Sequence, residues 1–83
     1  AGALLITEHD AWHAWPEPVE VKSTVGAGDS SLAGFLLART RGDQPKNCLR
    51  AAVAWGTAAA ALPGSTMPVP SQADAIRVSL THL

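Results

Sequence analysis

Residues Ser23 to Ala38 read STVGAGDSSLAGFLLA, a glycine-rich turn running straight into small and apolar residues at helical spacing. Gly26 and Gly28 permit backbone angles closed to other residues, so successive N–H groups can converge on one point. A helix opening near Asp29 adds the positive end of its dipole and its unpaired N–H groups. The stretch predicts a turn that cradles an anion at the start of a helix, and the flanking sequence must supply elements to hold it.

Ahead of the turn the period is that of strands. ALLIT, Ala3 to Thr7, suits a short buried strand. Glu8, His9 and Asp10 break it, and AWHAW, Ala11 to Trp15, returns antiparallel as the second arm of a hairpin. Pro16 and Pro18 end that arm, since neither can donate to a ladder. VEV, Val19 to Val21, alternates and reads as a third short strand leading into the turn.

Behind the turn the period becomes helical. Over Ser30 to Arg39, Leu32, Phe35 and Leu36 share a face, while Ala33, Gly34 and Ala38 let one side press closely on a sheet. Arg39 and Arg41 complement the helix dipole, and Gly42 is a natural stop. A second helix is expected from near Asp43, capped by it, with Pro45 in the first turn, running to Pro63 and Gly64. STMPVP is a loop. Ser71 and Asp74 have capping-box spacing, so SQADAIRVSL is expected to be a third helix with Ala73, Ile76 and Leu80 on one face. The order is strands, glycine loop, helices. That is an α/β architecture with the loop at a strand's carboxyl end, where open α/β sheets place ligands.

Asp29 separates the kinds of phosphate loop. The P-loop pattern needs a lysine that is missing between Ser23 and Ala38, and G-x-G-x-x-G fails at Ser31. A carboxylate beside a static diphosphate repels it: at an effective dielectric near 20, unit charges about 4 Å apart cost roughly 4 kcal/mol. A catalytic loop has a use for it. The carboxylate takes a proton from an attacking hydroxyl while the neighbouring amides face the phosphoryl oxygens, and such general-base catalysis contributes roughly 10²–10⁴-fold. The competing reading is that Asp29 merely caps its helix over a tight turn.

The run from Ser23 and Thr24 through Gly26-Ala27-Gly28-Asp29 to Ala33-Gly34-Phe35-Leu36 resembles the C-terminal signature of the ribokinase/PfkB-type sugar kinases. GALLIT, HAWP and AAVAWGTAAAALPGSTMP flank it in agreement, so the likeness covers most of the chain. It implies the C-terminal portion of a ribokinase-like fold, with residues 1–83 part of one kinase domain. TVGAGDS after Ser23 is most similar to the members that pass the γ-phosphoryl of ATP to the 6-hydroxyl of fructose 1-phosphate. Tagatose 6-phosphate, fructose, ribose or a nucleoside are the alternative acceptors, and a non-catalytic nucleotide-binding module is the alternative of another class.

By that resemblance Asp29 is the base and the amides of Gly26, Ala27 and Gly28 form the anion hole. Thr24, Val25 and Ser30 flank the phosphates, and Ala58, Ala61, Gly64, Ser65 and Met67 lie near adenine and ribose. ATP and magnesium are the implied cofactors, with the magnesium ligands and sugar pocket outside this chain, and a homodimer is open to the longer enzyme. Ribokinases and many fructokinases carry aspartate where Ser23 stands. That carboxylate helps hold a monovalent cation, and this chain does not offer it.

Composition sets the remaining bounds. The 83 residues are 47% hydrophobic and 16% charged with a net charge of −1, which offers no basic surface for nucleic acid. Ala51 to Leu62, the longest uncharged run, is shorter than the roughly 18 apolar residues of a membrane span. No secretory leader is visible, and the single Cys48 suits a reducing compartment, so a cytoplasmic location is expected. The chain opens directly in an apolar run and reads as a piece of a longer protein. Trp12 and Trp15 are expected as packing or sheet-surface aromatics, Trp55 in core packing, Cys48 as a small buried hydrophobe or partly exposed helix residue, and Lys22 as a solvated lysine. His9, His13 and His82 lack metal-ligand spacing, so no metal site is expected.

Overall fold

The computed structural model describes residues 2–64 and 67–83. The hairpin forms where its pattern placed it. β1 (Ala3–Ile6) runs antiparallel to β2 (Ala11–Pro16), with Ala3 opposite Ala14 and Ile6 opposite Ala11. Thr7 closes the turn: its N–H and hydroxyl both donate to the Asp10 carbonyl, and the Asp10 N–H donates back to Thr7 Oγ1.

Val19–Val21 is not a third strand. Both edges of β2 are already taken, because the sheet order is β1-β2-β3, with β3 contributed by Val78–His82. The residues after Val21 are instead tied to a helix end, where the N–H groups of Lys22 and Ser23 donate to the Ala60 carbonyl at 2.8 and 3.1 Å. The glycine turn therefore follows this tether rather than the carboxyl end of a sheet strand.

Four helical expectations also change. α1 spans Ala27–Thr40, starting earlier than Asp29 because Gly26, at φ 81°, turns the chain into it. α2 spans Pro45–Ala60 with Gln44 as its N-cap; Asp43 pairs with Arg41 at 3.2 Å instead. α3 covers only Pro70–Asp74, and its start is held by Gln72 Oε1, which accepts the Val69 N–H at 2.8 Å, rather than by Ser71 and Asp74. The rest of the expected third helix is β3. VSLTH alternates, and pairing with β2 puts Val78 and Leu80 against the core of Ala14, Leu49 and Val53, with Leu5 and Trp12 beside them. Period-two burial on a ready hairpin edge outweighs the helical spacing of Ala73, Ile76 and Leu80.

α1 packs on α2, not on the sheet. Its buried stripe is Ser30, Gly34 and Ala38, whereas Leu32 and Leu36 are 58% and 49% exposed. Small residues let the helix axes approach, and Gly34 lies under the Trp55 ring. A Cβ on Gly34 would stand 2.5 Å from Trp55 Cδ1 and 2.7 Å from the Ala51 carbonyl oxygen. Trp12 stacks on His82 at 4.4 Å, and Cys48 is buried.

Candidate active site

The turn ahead of α1 sorts its amides into two groups. The Val25 N–H donates to Ser23 Oγ at 3.1 Å, and the Ala27 N–H turns back to the Thr24 carbonyl at 3.3 Å. The Ser30 N–H donates to the Gly26 carbonyl at 3.0 Å and opens the helical ladder. Among the described residues, the N–H groups of Gly26, Gly28 and Asp29 have no acceptor. The set of open donors differs from the expected one. Ala27 is engaged, and the Asp29 amide takes its place because the helix starts early enough to make Asp29 a first-turn residue.

Gly28 carries a second indication. Its φ is not in the left-handed region, and a Cβ there would meet nothing within 4 Å. Neither backbone conformation nor packing within this chain calls for glycine, although glycine in a helix costs about 0.5–1 kcal/mol against alanine. The remaining physical reason is close approach of another molecule or another part of a protein to that backbone. Three free amides, the positive end of a fourteen-residue helix and a bare Cα fit a phosphate group.

Asp29 sits on the same turn and is exposed. The α1 N-cap is Gly26 and makes no side-chain capping bond, so Asp29 is not the cap of this helix. Its carboxylate faces solvent beside the open amides. That arrangement can accept a proton from a hydroxyl while the amides hold an anion.

Beside the turn lies a cleft of about 640 Å³, walled by Pro16 to Val19 on one side and by Ala52, Gly56, Thr57 and Ala60 of α2 on the other. Thr24, Ala27 and Gly28 form its rim. The sequence reading missed these α2 positions, whose only signal was a run of small residues three to four apart. Ala58, placed near adenine by resemblance, is buried at 4% exposure and does not line this cleft. Ala61 follows α2 with its N–H on the Thr57 carbonyl, and Gly64 takes φ 65°. Ser65 lies outside the described residues.

One more placement differs from expectation. Ser30 is turned inward, 2% exposed, and its hydroxyl donates to Met67 Sδ at 3.2 Å rather than pointing to the phosphate side. The same contact brings Met67 to the first turn of α1. Lys22 is exposed, as expected of a solvated lysine, and pairs on the surface with Glu20 at 3.4 Å. Among the described residues, no three His, Cys, Asp or Glu side chains gather as metal ligands, and no helix is long and apolar enough to cross a membrane.

Similarity to known proteins runs along most of the chain. The family described as pfkB family carbohydrate kinase matches residues 1–72. A 1-phosphofructokinase of Haloferax volcanii is 39% identical over 67 residues, which are 81% of this chain and 22% of the relative. A fructoselysine 6-kinase of Escherichia coli is 50% identical over 50 residues, 60% of this chain and 18% of the relative. A crystal structure from Staphylococcus aureus, provisionally assigned as a phosphofructokinase, superposes with a TM-score of 0.90 at 28% identity. It covers 99% of this chain and 27% of its own. The chain thus spans about a fifth of the length of the curated relatives it matches.

Proposed function

The chain belongs to the pfkB family of carbohydrate kinases, and from that premise we propose that it supplies the phosphate end of an active site transferring the γ-phosphoryl of ATP to a sugar hydroxyl. The observation that carries the reading is the exposed Asp29 carboxylate on the same turn as the open amides of Gly26, Gly28 and Asp29. In this role Asp29 accepts the proton of the acceptor hydroxyl as the oxygen attacks phosphorus. The amides hold the phosphoryl oxygens in place, and the α1 dipole stabilises the charge they carry. Magnesium, when bound with ATP, neutralises phosphate charge; its protein ligands, like the sugar pocket, are assigned to residues outside these 83. On this reading residues 1–83 form the C-terminal part of a single kinase domain.

For the acceptor we favour fructose 1-phosphate, converted to the 1,6-bisphosphate. The support is the similarity to 1-phosphofructokinases, which reaches 34% identity over 96% of this chain in a relative from Rhodobacter capsulatus. A second reading has its own support: the fructoselysine 6-kinase match is shorter but more nearly identical. An ATP-consumption assay of the full kinase on fructose 1-phosphate, fructoselysine, tagatose 6-phosphate, fructose and ribose decides between them. Turnover highest on fructose 1-phosphate is the expected outcome. ATP binding without transfer to any sugar would leave a nucleotide-binding module.

A further inference from the structure

We propose that Met67 is a positioning residue for phosphoryl transfer, an inference that rests on the kinase reading: its thioether holds the Ser30 hydroxyl, and through Ser30 the turn that carries Asp29. Ser30 is the one buried polar side chain among the described residues. A serine inside a helix ordinarily satisfies its hydroxyl on a carbonyl one turn back. Thr40 does so in this same helix, donating to the Leu36 carbonyl at 2.7 Å. For Ser30 that carbonyl is Gly26, which accepts the Ser30 N–H, yet the hydroxyl leaves the helix and goes to Met67 Sδ at 3.2 Å, across 37 residues of sequence.

Met67 is itself half exposed, but the segment that follows it is anchored. Pro68 is buried next to it, Gln72 Oε1 fixes the Val69 N–H, and α3 follows at once from Pro70 with Ala73 at 1% exposure. On the other side of the contact, Ser30 adjoins Asp29 and stands two residues from Gly28. One hydrogen bond therefore joins an anchored segment to the turn bearing both the carboxylate and the open amides. Residues of a packed first turn move together, so losing the bond shifts Asp29 and the amides beside it relative to an acceptor hydroxyl held elsewhere in the enzyme, and a displacement of about 1 Å is enough to cost catalysis.

Met67→Leu keeps volume and removes the acceptor, leaving the Ser30 hydroxyl buried without a partner. In the full kinase it is expected to lower kcat about tenfold with KM for ATP within about twofold. Met67→Gln, whose side-chain carbonyl can accept the same bond, is expected to restore kcat to within about threefold of the parent. Hydrogen exchange at the amides of Ser30 and Ser31 is expected to speed up several-fold in the Leu variant and slow again in the Gln variant. A Leu variant with kcat within about twofold of the parent overturns the inference. So does one that raises KM for ATP while keeping kcat, since Met67 would then be a nucleotide contact. If the parent enzyme transfers phosphate to no sugar, the kinase reading falls instead, and the exchange rates alone decide whether Met67 holds the turn.

Discussion

At the residue scale, Asp29 and Gly28 can be told apart by what each substitution leaves untouched. Asp29→Asn keeps the fold and the amides, so KM for ATP should stay within a few-fold while kcat falls by at least roughly 10². Steady-state kinetics of the full kinase check this; near-normal turnover would remove the base. Gly28→Ala should act in the opposite sense on stability and binding. The new methyl meets open space on a helical backbone, so melting temperature should hold or rise, by the equivalent of about 0.5–1 kcal/mol. The same methyl stands where a phosphate would approach, so KM for ATP should rise. A variant with unchanged nucleotide affinity would mean that this backbone touches no ligand. Asp29 was legible in the sequence because a carboxylate in an anion loop demands an explanation. The open amide of Asp29 and the inward turn of Ser30 were not, since both depend on where the helix starts.

At the scale of elements, two glycines at the α1–α2 contact should respond differently to alanine. At Gly34 the methyl would meet the Ala51 carbonyl and the Trp55 ring, groups that cannot step aside, so overpacking of about 1–3 kcal/mol outweighs the gain of about 1 kcal/mol in helix propensity. At Gly56 the one severe clash is with Ser31 Oγ, the far end of a side chain that can rotate, so the change should be near neutral. Chemical denaturation of both variants checks the contrast, and equal losses would mean that the helices do not meet through Gly34. Helix α1 was legible as an element but not by its partner: Ala33, Gly34 and Ala38 were expected to press on a sheet, and the buried stripe of Ser30, Gly34 and Ala38 meets α2 instead. The C-terminal element was misread altogether. Ala73, Ile76 and Leu80 fit a helix by spacing, and only the free edge of β2 makes VSLTH a strand.

At the scale of the molecule, much apolar surface remains outside. Leu4 and Ile6 on β1 and Leu32 and Leu36 on α1 are 49–72% exposed. More scattered apolar exposure is normal, but these residues lie on regular elements whose other sides are packed, which fits the proposal that a larger domain covers them. Leu32→Glu with Leu36→Glu should therefore raise the solubility of the isolated 83 residues and lower the melting temperature of the full kinase; an unaffected full kinase would show that this face is free there. The isolated 83 residues should transfer no phosphoryl group to fructose 1-phosphate, and measurable transfer would place the whole site within them. What the sequence alone determined was local: the hairpin, the glycine turn, its carboxylate and the helix that follows, each set by backbone freedom, ladder donors or side-chain spacing among near neighbours. Tertiary structure decided which face of α1 is buried, which amides stay open, and that the last residues complete a sheet. Those outcomes turn on which surfaces and hydrogen-bond partners other elements have already taken, and a chain read one segment at a time does not contain that competition.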